Sequence, residues 1–172
     1  MIYFTSDLYL GHKAVINSAC RPFLDTEEEA YVLIDRINKE CKANDDLYIL
    51  GNFAHRLPKE KAEEYLSKIR ARVHMISGNY DKEYNQALMV ETSDYIRLKK
   101  DHEIFCLFHY PIDDWDAKRY GSYMLHGHIN SKGPEYNLRM KKSGLRRYDV
   151  GVDANDYKPV SIEKIRNFFG CN

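Results

Sequence analysis

No window of the chain approaches the roughly 18 uninterrupted apolar residues that a membrane-spanning helix needs, so no such helix is expected. The N-terminus, MIYFTSDLYL, lacks a basic start followed by an apolar core and enters a strand pattern within two residues. No export signal is expected there. Neither sign of charge is in excess: Lys plus Arg and Asp plus Glu stand at 26 each. No overall field therefore draws the protein to nucleic acid or to an anionic membrane, and such a partner would need a local site. The four cysteines, Cys20, Cys41, Cys106 and Cys171, form no CxxC pair and no zinc-ligand spacing. Free thiols in a reducing, cytoplasmic setting are expected. Internal repeats and low-complexity tails are also missing.

What is present is the composition of a globular core, with 44% hydrophobic and 30% charged residues over 172 positions, and one domain over 1–172 is the expectation. A β-rich run, Ile2 to Thr5, ends in Ser6-Asp7; a second, Leu47 to Leu50, ends in Gly51-Asn52. Between them Thr26, with Glu29 three residues later, opens a helix whose Ala30, Leu33, Ile34 and Ile37 recur at helical spacing. Pro58 begins another helix with Ala62, Tyr65, Leu66 and Ile69 on one face, leading to the strand Val73 to Ile76 and the polar loop Ser77-Gly78-Asn79. Polar residues at the carboxyl ends of successive strands are where open α/β sheets build binding sites. The second half reads as short strands at Tyr95 to Leu98, Ile104 to Phe108 and Tyr123 to Leu125. Lys132 to Arg147, with Gly133, Pro134, Gly144 and six basic residues, is expected to be an exposed loop or loose hairpin. Strand character resumes over Tyr148 to Val152, and Val160 to Phe169 is expected to form a final short helix.

Five segments follow apolar runs: Ser6-Asp7-Leu8-Tyr9, Gly51-Asn52, Gly78-Asn79-Tyr80-Asp81, Phe108-His109-Tyr110-Pro111 and His126-Gly127-His128-Ile129-Asn130. Their order and spacing resemble the calcineurin-like metallophosphoesterases, whose pattern reads DxH, GD, GNH followed by an acid, a lone His, and GHxH. Gly11-His12, Arg21-Pro22-Phe23 and the closing Gly151 to Pro159 look like a small bacterial and phage branch. The resemblance covers essentially the whole chain and implies an α/β fold with central mixed β-sheets flanked by helices in four layers. It also implies two close divalent ions that clamp a phosphoryl group and activate a water.

By that resemblance, one metal would take Asp7 and positions 9, 52 and 130, and the other position 52, Asn79, His109 and His128. Four expected residues are replaced: Tyr9, Tyr80 and Asn130 stand for histidines and Asn52 for the bridging aspartate. A neutral amide at the bridge leaves the repulsion of two dications less compensated, and a phenol or amide is a weaker ligand than imidazole. Two metals are therefore not expected, whereas a single manganese, zinc, iron or nickel ion held by Asn52, Asn79, His109 and His128 stays open. Tyr80 sits where the family places a histidine proposed to protonate the leaving group, and a phenol with a reference pKa near 10 is a poor acid at neutral pH.

Each of these positions also has a plainer reading. His109 and His128 are either metal ligands or buried polar residues; His126 is a substitute or supporting ligand, or, more simply, structural; Asp81 reads as an acceptor that fixes its loop. Tyr9 and Tyr80 either stack on a base and donate to phosphate or fill vacated space. His12, Arg21 and Asn130 are candidate ligand contacts, although Arg21 beside Pro22 equally reads as a loop anchor. The run Lys141, Lys142, Arg146 and Arg147 is a polyanion contact or a solvated face. The expectation that follows is a protein that binds a nucleotide or other phosphoester with little or no hydrolysis; the alternatives are a working phosphoesterase with one metal or rearranged ligands, and an interaction protein with a vestigial pocket.

Overall fold

The computed structural model describes residues 1–170; Cys171 lies outside the described residues. Among the described residues nine strands and five α-helices follow one another: β1 Ile2–Thr5, α1 Lys13–Ala19, α2 Thr26–Glu40, β2 Asp46–Leu50, α3 Lys59–Ser67, β3 Arg72–Ile76, β4 Glu91–Ser93, β5 Tyr95–Lys100, β6 Glu103–Phe108, β7 Tyr123–His126, α4 Glu135–Lys142, β8 Arg147–Asp149, β9 Val160–Ser161 and α5 Ile162–Phe169. They form two mixed sheets. The first has the order β4-β3-β2-β1-β9, parallel except for β9; the second has the order β5-β6-β7-β8, parallel except for the β5–β6 pair.

Alternation within the strands builds the layers, because successive side chains point to opposite faces. In β2, Leu47 and Ile49 join a core with Leu33, Ile37, Ala62 and Leu66 of α2 and α3. Their neighbours Tyr48 and Leu50 point the other way and meet Phe105, Leu107, Tyr123 and Leu125 of the second sheet, with Ile162 and Ile165 of α5 at the edge. Cys106 and Met124 pack outward against Trp115. The chain is thus a mixed α/β structure of two sheets flanked by helices.

Three local expectations need correction. Thr26 does not cap α2; Asp25 does, accepting from the N–H groups of Glu27 and Glu28, and Glu29 is buried against Arg21 instead of reaching back to the helix start. Lys132 to Arg147 is not a loop, since it contains α4 and the first residue of β8. That helix buries only Asn137 and Met140, so it leaves almost no apolar periodicity to read. Third, Val160 and Ser161 pair with β1 before α5 begins.

Candidate functional site

The carboxyl ends of β1, β2, β3, β6 and β7 open into loops that carry Asp7 and Tyr9, Asn52, Asn79 and Tyr80, His109, and His128 and Asn130. Backbone bonds tie these loops together: Asp7 N–H donates to Gly51 O at 2.8 Å, Tyr9 N–H to Asn52 O at 3.0 Å and Gly127 N–H to His109 O at 3.0 Å. Glycine is required where they touch. A Cβ on Gly127 would lie 1.7 Å from Ser6 Oγ, and one on Gly51 would lie 2.5 Å from Gly78 Cα. Asp7, Tyr9, His128 and Asn130 all hold left-handed backbone, with φ of 58°, 54°, 70° and 48°. Such conformations cluster where a fold holds side chains in imposed positions.

At the centre lies Asn52, fully buried. Tyr80 N–H donates to its Oδ1 at 2.9 Å, which fixes the amide orientation and turns the NH2 group inward. That nitrogen lies 3.0 Å from Tyr9 Oη, 3.2 Å from His109 Nε2, 3.3 Å from Asn79 Oδ1 and 3.4 Å from Asp7 Oδ1. Two hydrogens thus serve four acceptors, so the amide stands as the positive pole around which the crevice is arranged. Asn52 thus turns donors, not an oxygen, toward the centre.

One side of this hub is well satisfied from within. Asp7 Oδ2 accepts from Ser6 Oγ at 2.8 Å and from His128 N–H at 2.8 Å. Burial, and next the nearby Asp149, nevertheless push its carboxyl up to about 7, against the pull of those donors. Tyr9 is buried and its phenol is raised by burial and by Asp7, so it stays neutral. Asn130 Nδ2 donates to His128 O at 3.1 Å and reaches Tyr9 Oη at 3.5 Å.

The other side is not. His109 Nδ1 lies 2.8 Å from Leu50 O, which can only accept, so the ring proton sits on Nδ1. Burial lowers the pKa of this imidazole and keeps it neutral. Its Nε2 then lies 3.0 Å from Asn79 Oδ1, and both acceptors turn to the shared Asn52 NH2 group. His128 Nδ1 is buried without a partner among the described residues.

Around the rim, Tyr80 is 48% exposed and its ring contacts His55, which stacks on His12. Arg21 is not at the rim, and its reading as a phosphate grip is wrong. Its side chain is fully buried and donates to Leu8 O, Asp7 O, Glu29 and Asp153, leaving nothing for a ligand. It anchors the loop that carries Asp7. Asp81 accepts from the N–H groups of Phe53 and Gly78 and from Tyr84 Oη, and so ties the loops after β2 and β3 together. His126 is structural: Nδ1–H donates to Gly127 O, Nε2 accepts from Tyr136 Oη, and burial drives its pKa down to about 4. His55 and Arg56 were not picked out from the sequence, because they belong to no motif and reach the site only through the bridge that pairs Leu10 with Ala54.

The family profile for calcineurin-like phosphoesterases matches residues 1–161. The chain belongs to the calcineurin-like phosphoesterase family. Among solved structures it is similar to AQ665 of Aquifex aeolicus, a protein of unknown function, with TM-score 0.75 and 25% identity over 97% of this chain and 98% of that one. Yfce, a phosphoesterase from E. coli, shows a more distant likeness, with TM-score 0.47 and 14% identity over 89% of this chain and 79% of that one. No curated protein matches the sequence.

Members of this family normally use divalent metals, and the residues here do not fit the full centre. Among the described residues no group of three or more His, Cys, Asp and Glu side chains is arranged to hold an ion. Toward the first metal position the chain offers one carboxylate, a neutral phenol and amide donors. The second position keeps His109 Nε2, Asn79 Oδ1 and the unpartnered His128 Nδ1, a set that suits one transition ion if the Asn52 amide yields. No helix among the described residues is long and apolar enough to cross a membrane.

Proposed function

We propose that this phosphoesterase-family chain binds a nucleotide or related phosphoester with little or no hydrolysis, holding at most one divalent ion. The observation that carries this reading is the Asn52 amide, whose orientation is set by Tyr80 N–H and whose NH2 group stands where a bridging carboxylate would hold two cations. A carboxamide there cannot neutralise two cations as a carboxylate would, and the tyrosines beside it add apolar ring surface for a base. The free thiols of Cys20, Cys41 and Cys106 agree with a cytoplasmic setting.

A second reading, a phosphoesterase working with one metal, is favoured by the facing acceptors His109 Nε2 and Asn79 Oδ1 and by the bare His128 Nδ1. One experiment separates the two. Purified protein is assayed against bis(p-nitrophenyl) phosphate with excess manganese, and thymidine 5′-monophosphate binding is measured by calorimetry with and without chelator. Binding that survives chelation, without turnover, supports the first reading; manganese-dependent turnover supports the second and overturns the first.

A further inference from the structure

Beside the crevice, four rings form a closed arc. His12 and His55 stack with centroids 4.3 Å apart and planes inclined by 15°. His55 meets Tyr80 at 4.0 Å, and Tyr9 closes the arc at 6.2 Å from Tyr80 and 6.0 Å from His12. Tyr9 is buried, so it forms the floor, while half of Tyr80 remains open to solvent.

The two imidazoles are arranged as donors. Their Nδ1 atoms are buried without partners. A stranded acceptor is tolerated better than a stranded N–H, so the protons belong on Nε2, the nitrogens left to face outward. Burial lowers both pKa values first, His55 next lowers that of His12, and the guanidinium of Arg56, the residue that follows His55 in the chain, lowers both. Arg56 is exposed, makes no hydrogen bond or ion pair among the described residues, and sits in left-handed backbone with φ of 59°. Most other arginines here are spent on carboxylates or carbonyls, as in Arg21, Arg147 and Arg166. A free cation, two outward N–H donors and an open phenol ring thus share one ledge that leads into the crevice.

We propose that Tyr80, His55, His12 and Arg56 form a second subsite that takes the base and the next phosphate of a single-stranded oligonucleotide whose first phosphate lies in the adjoining crevice. This rests on the phosphoester reading above and names its ligand class. Alternating ring faces and cations are how single strands are held without sequence readout, each stacked base contributing about 1–3 kcal/mol. The balanced overall charge is no obstacle, because the cation is local.

The test compares thymidine 5′-monophosphate with 5′-phosphorylated hexathymidylate by calorimetry, using the intact chain and the variants R56G, H55A and Y80A. R56G suits the positive φ and cannot strain the backbone. The expected result is that the hexanucleotide binds at least about tenfold tighter than the mononucleotide. R56G should remove most of that advantage, lower the salt dependence of hexanucleotide binding by about 0.7 in log–log slope, and leave the mononucleotide within about twofold. Y80A should weaken the hexanucleotide but not an abasic hexamer of equal charge, whereas H55A, which removes a donor as well as a ring, should weaken both. Equal affinity for the two thymidylates, or a hexanucleotide affinity indifferent to all three variants, overturns the subsite while leaving the phosphoester reading intact. Failure of both thymidylates to bind overturns both.

Discussion

The two sides of the crevice share one amide and differ in what it leaves unsatisfied. On the side of Asp7, Tyr9 and Asn130, acceptors meet donors supplied by Ser6, the His128 backbone and neighbouring amides. On the side of His109, Asn79 and His128, His109 Nε2 and Asn79 Oδ1 lie 3.0 Å apart and share the Asn52 amide, while His128 Nδ1 has no partner among the described residues. The first side is a hydrogen-bonded protein surface. The second keeps the electronic character of a cation site. The two sides thus differ in how far the protein itself satisfies them, with the Asn52 amide shared between them.

The strongest way to break this asymmetry is to reverse it. Joint replacement Tyr9→His, Asn52→Asp, Tyr80→His and Asn130→His should yield manganese-dependent diesterase activity about 10³-fold or more above the parent, because the loops that would place those residues are intact. Each single reversion should do little, since groups that act as a unit are non-additive. A revertant that folds and binds two metals yet hydrolyses no phosphoester would show that the scaffold no longer supports the chemistry.

Next in size is the loss of the anchor beneath the first side. Arg21→Ala leaves Glu29 and Asp153 as buried, unpaired carboxylates and releases the carbonyls of Asp7 and Leu8. Denaturant unfolding should register a loss of about 3–5 kcal/mol. A change below about 1 kcal/mol would restore Arg21 as a candidate ligand contact.

A smaller effect isolates the hub. Asn52→Asp alone should tighten a single manganese or zinc ion at His109, Asn79 and His128 by about tenfold or more, measured by competition with a chelating dye, because the donor becomes a shared anionic acceptor. His109→Ala in that background should abolish the gain.

The mildest effect lies away from the crevice. Burial pushes the Cys41 thiol up to about 12, and Tyr48 and Tyr148 likewise up to about 12. Each is an acid whose folded pKa lies above its unfolded value, so its contribution is complete below the unfolded pKa, near 9 for the thiol and 10 for the phenols, and is lost as pH rises toward 12. Thermal stability should fall above pH 9, and Cys41→Ala should flatten the first part of that fall. The buried Cys41 should also stay unreactive to a thiol reagent that labels the exposed Cys20.

Much of the frame was legible because it is written in local alternation and in short polar loops after apolar runs. β1, β2, β3, β6 and β7, the loop-fixing part of Asp81 and the structural part of His126 could all be anticipated in that way. What escaped depends on partners far along the chain. The Asn52 amide is oriented by an N–H 28 residues away. Arg21 is claimed by Asp153, 132 residues on, and His55 gains meaning only when stacked on His12. α4 escaped for a different reason: a helix that buries one methionine and one asparagine has no apolar stripe to recognise.

The number of ions this crevice can hold turns on the Asn52 amide, which stands where a second cation would require an acceptor. Protein purified without chelator, saturated with manganese and crystallised, would be examined by anomalous scattering together with elemental analysis in solution. The expected result is at most one ion per chain, bound by His109, Asn79 and His128 on the side away from Tyr9. Two manganese ions bridged at Asn52 would contradict it.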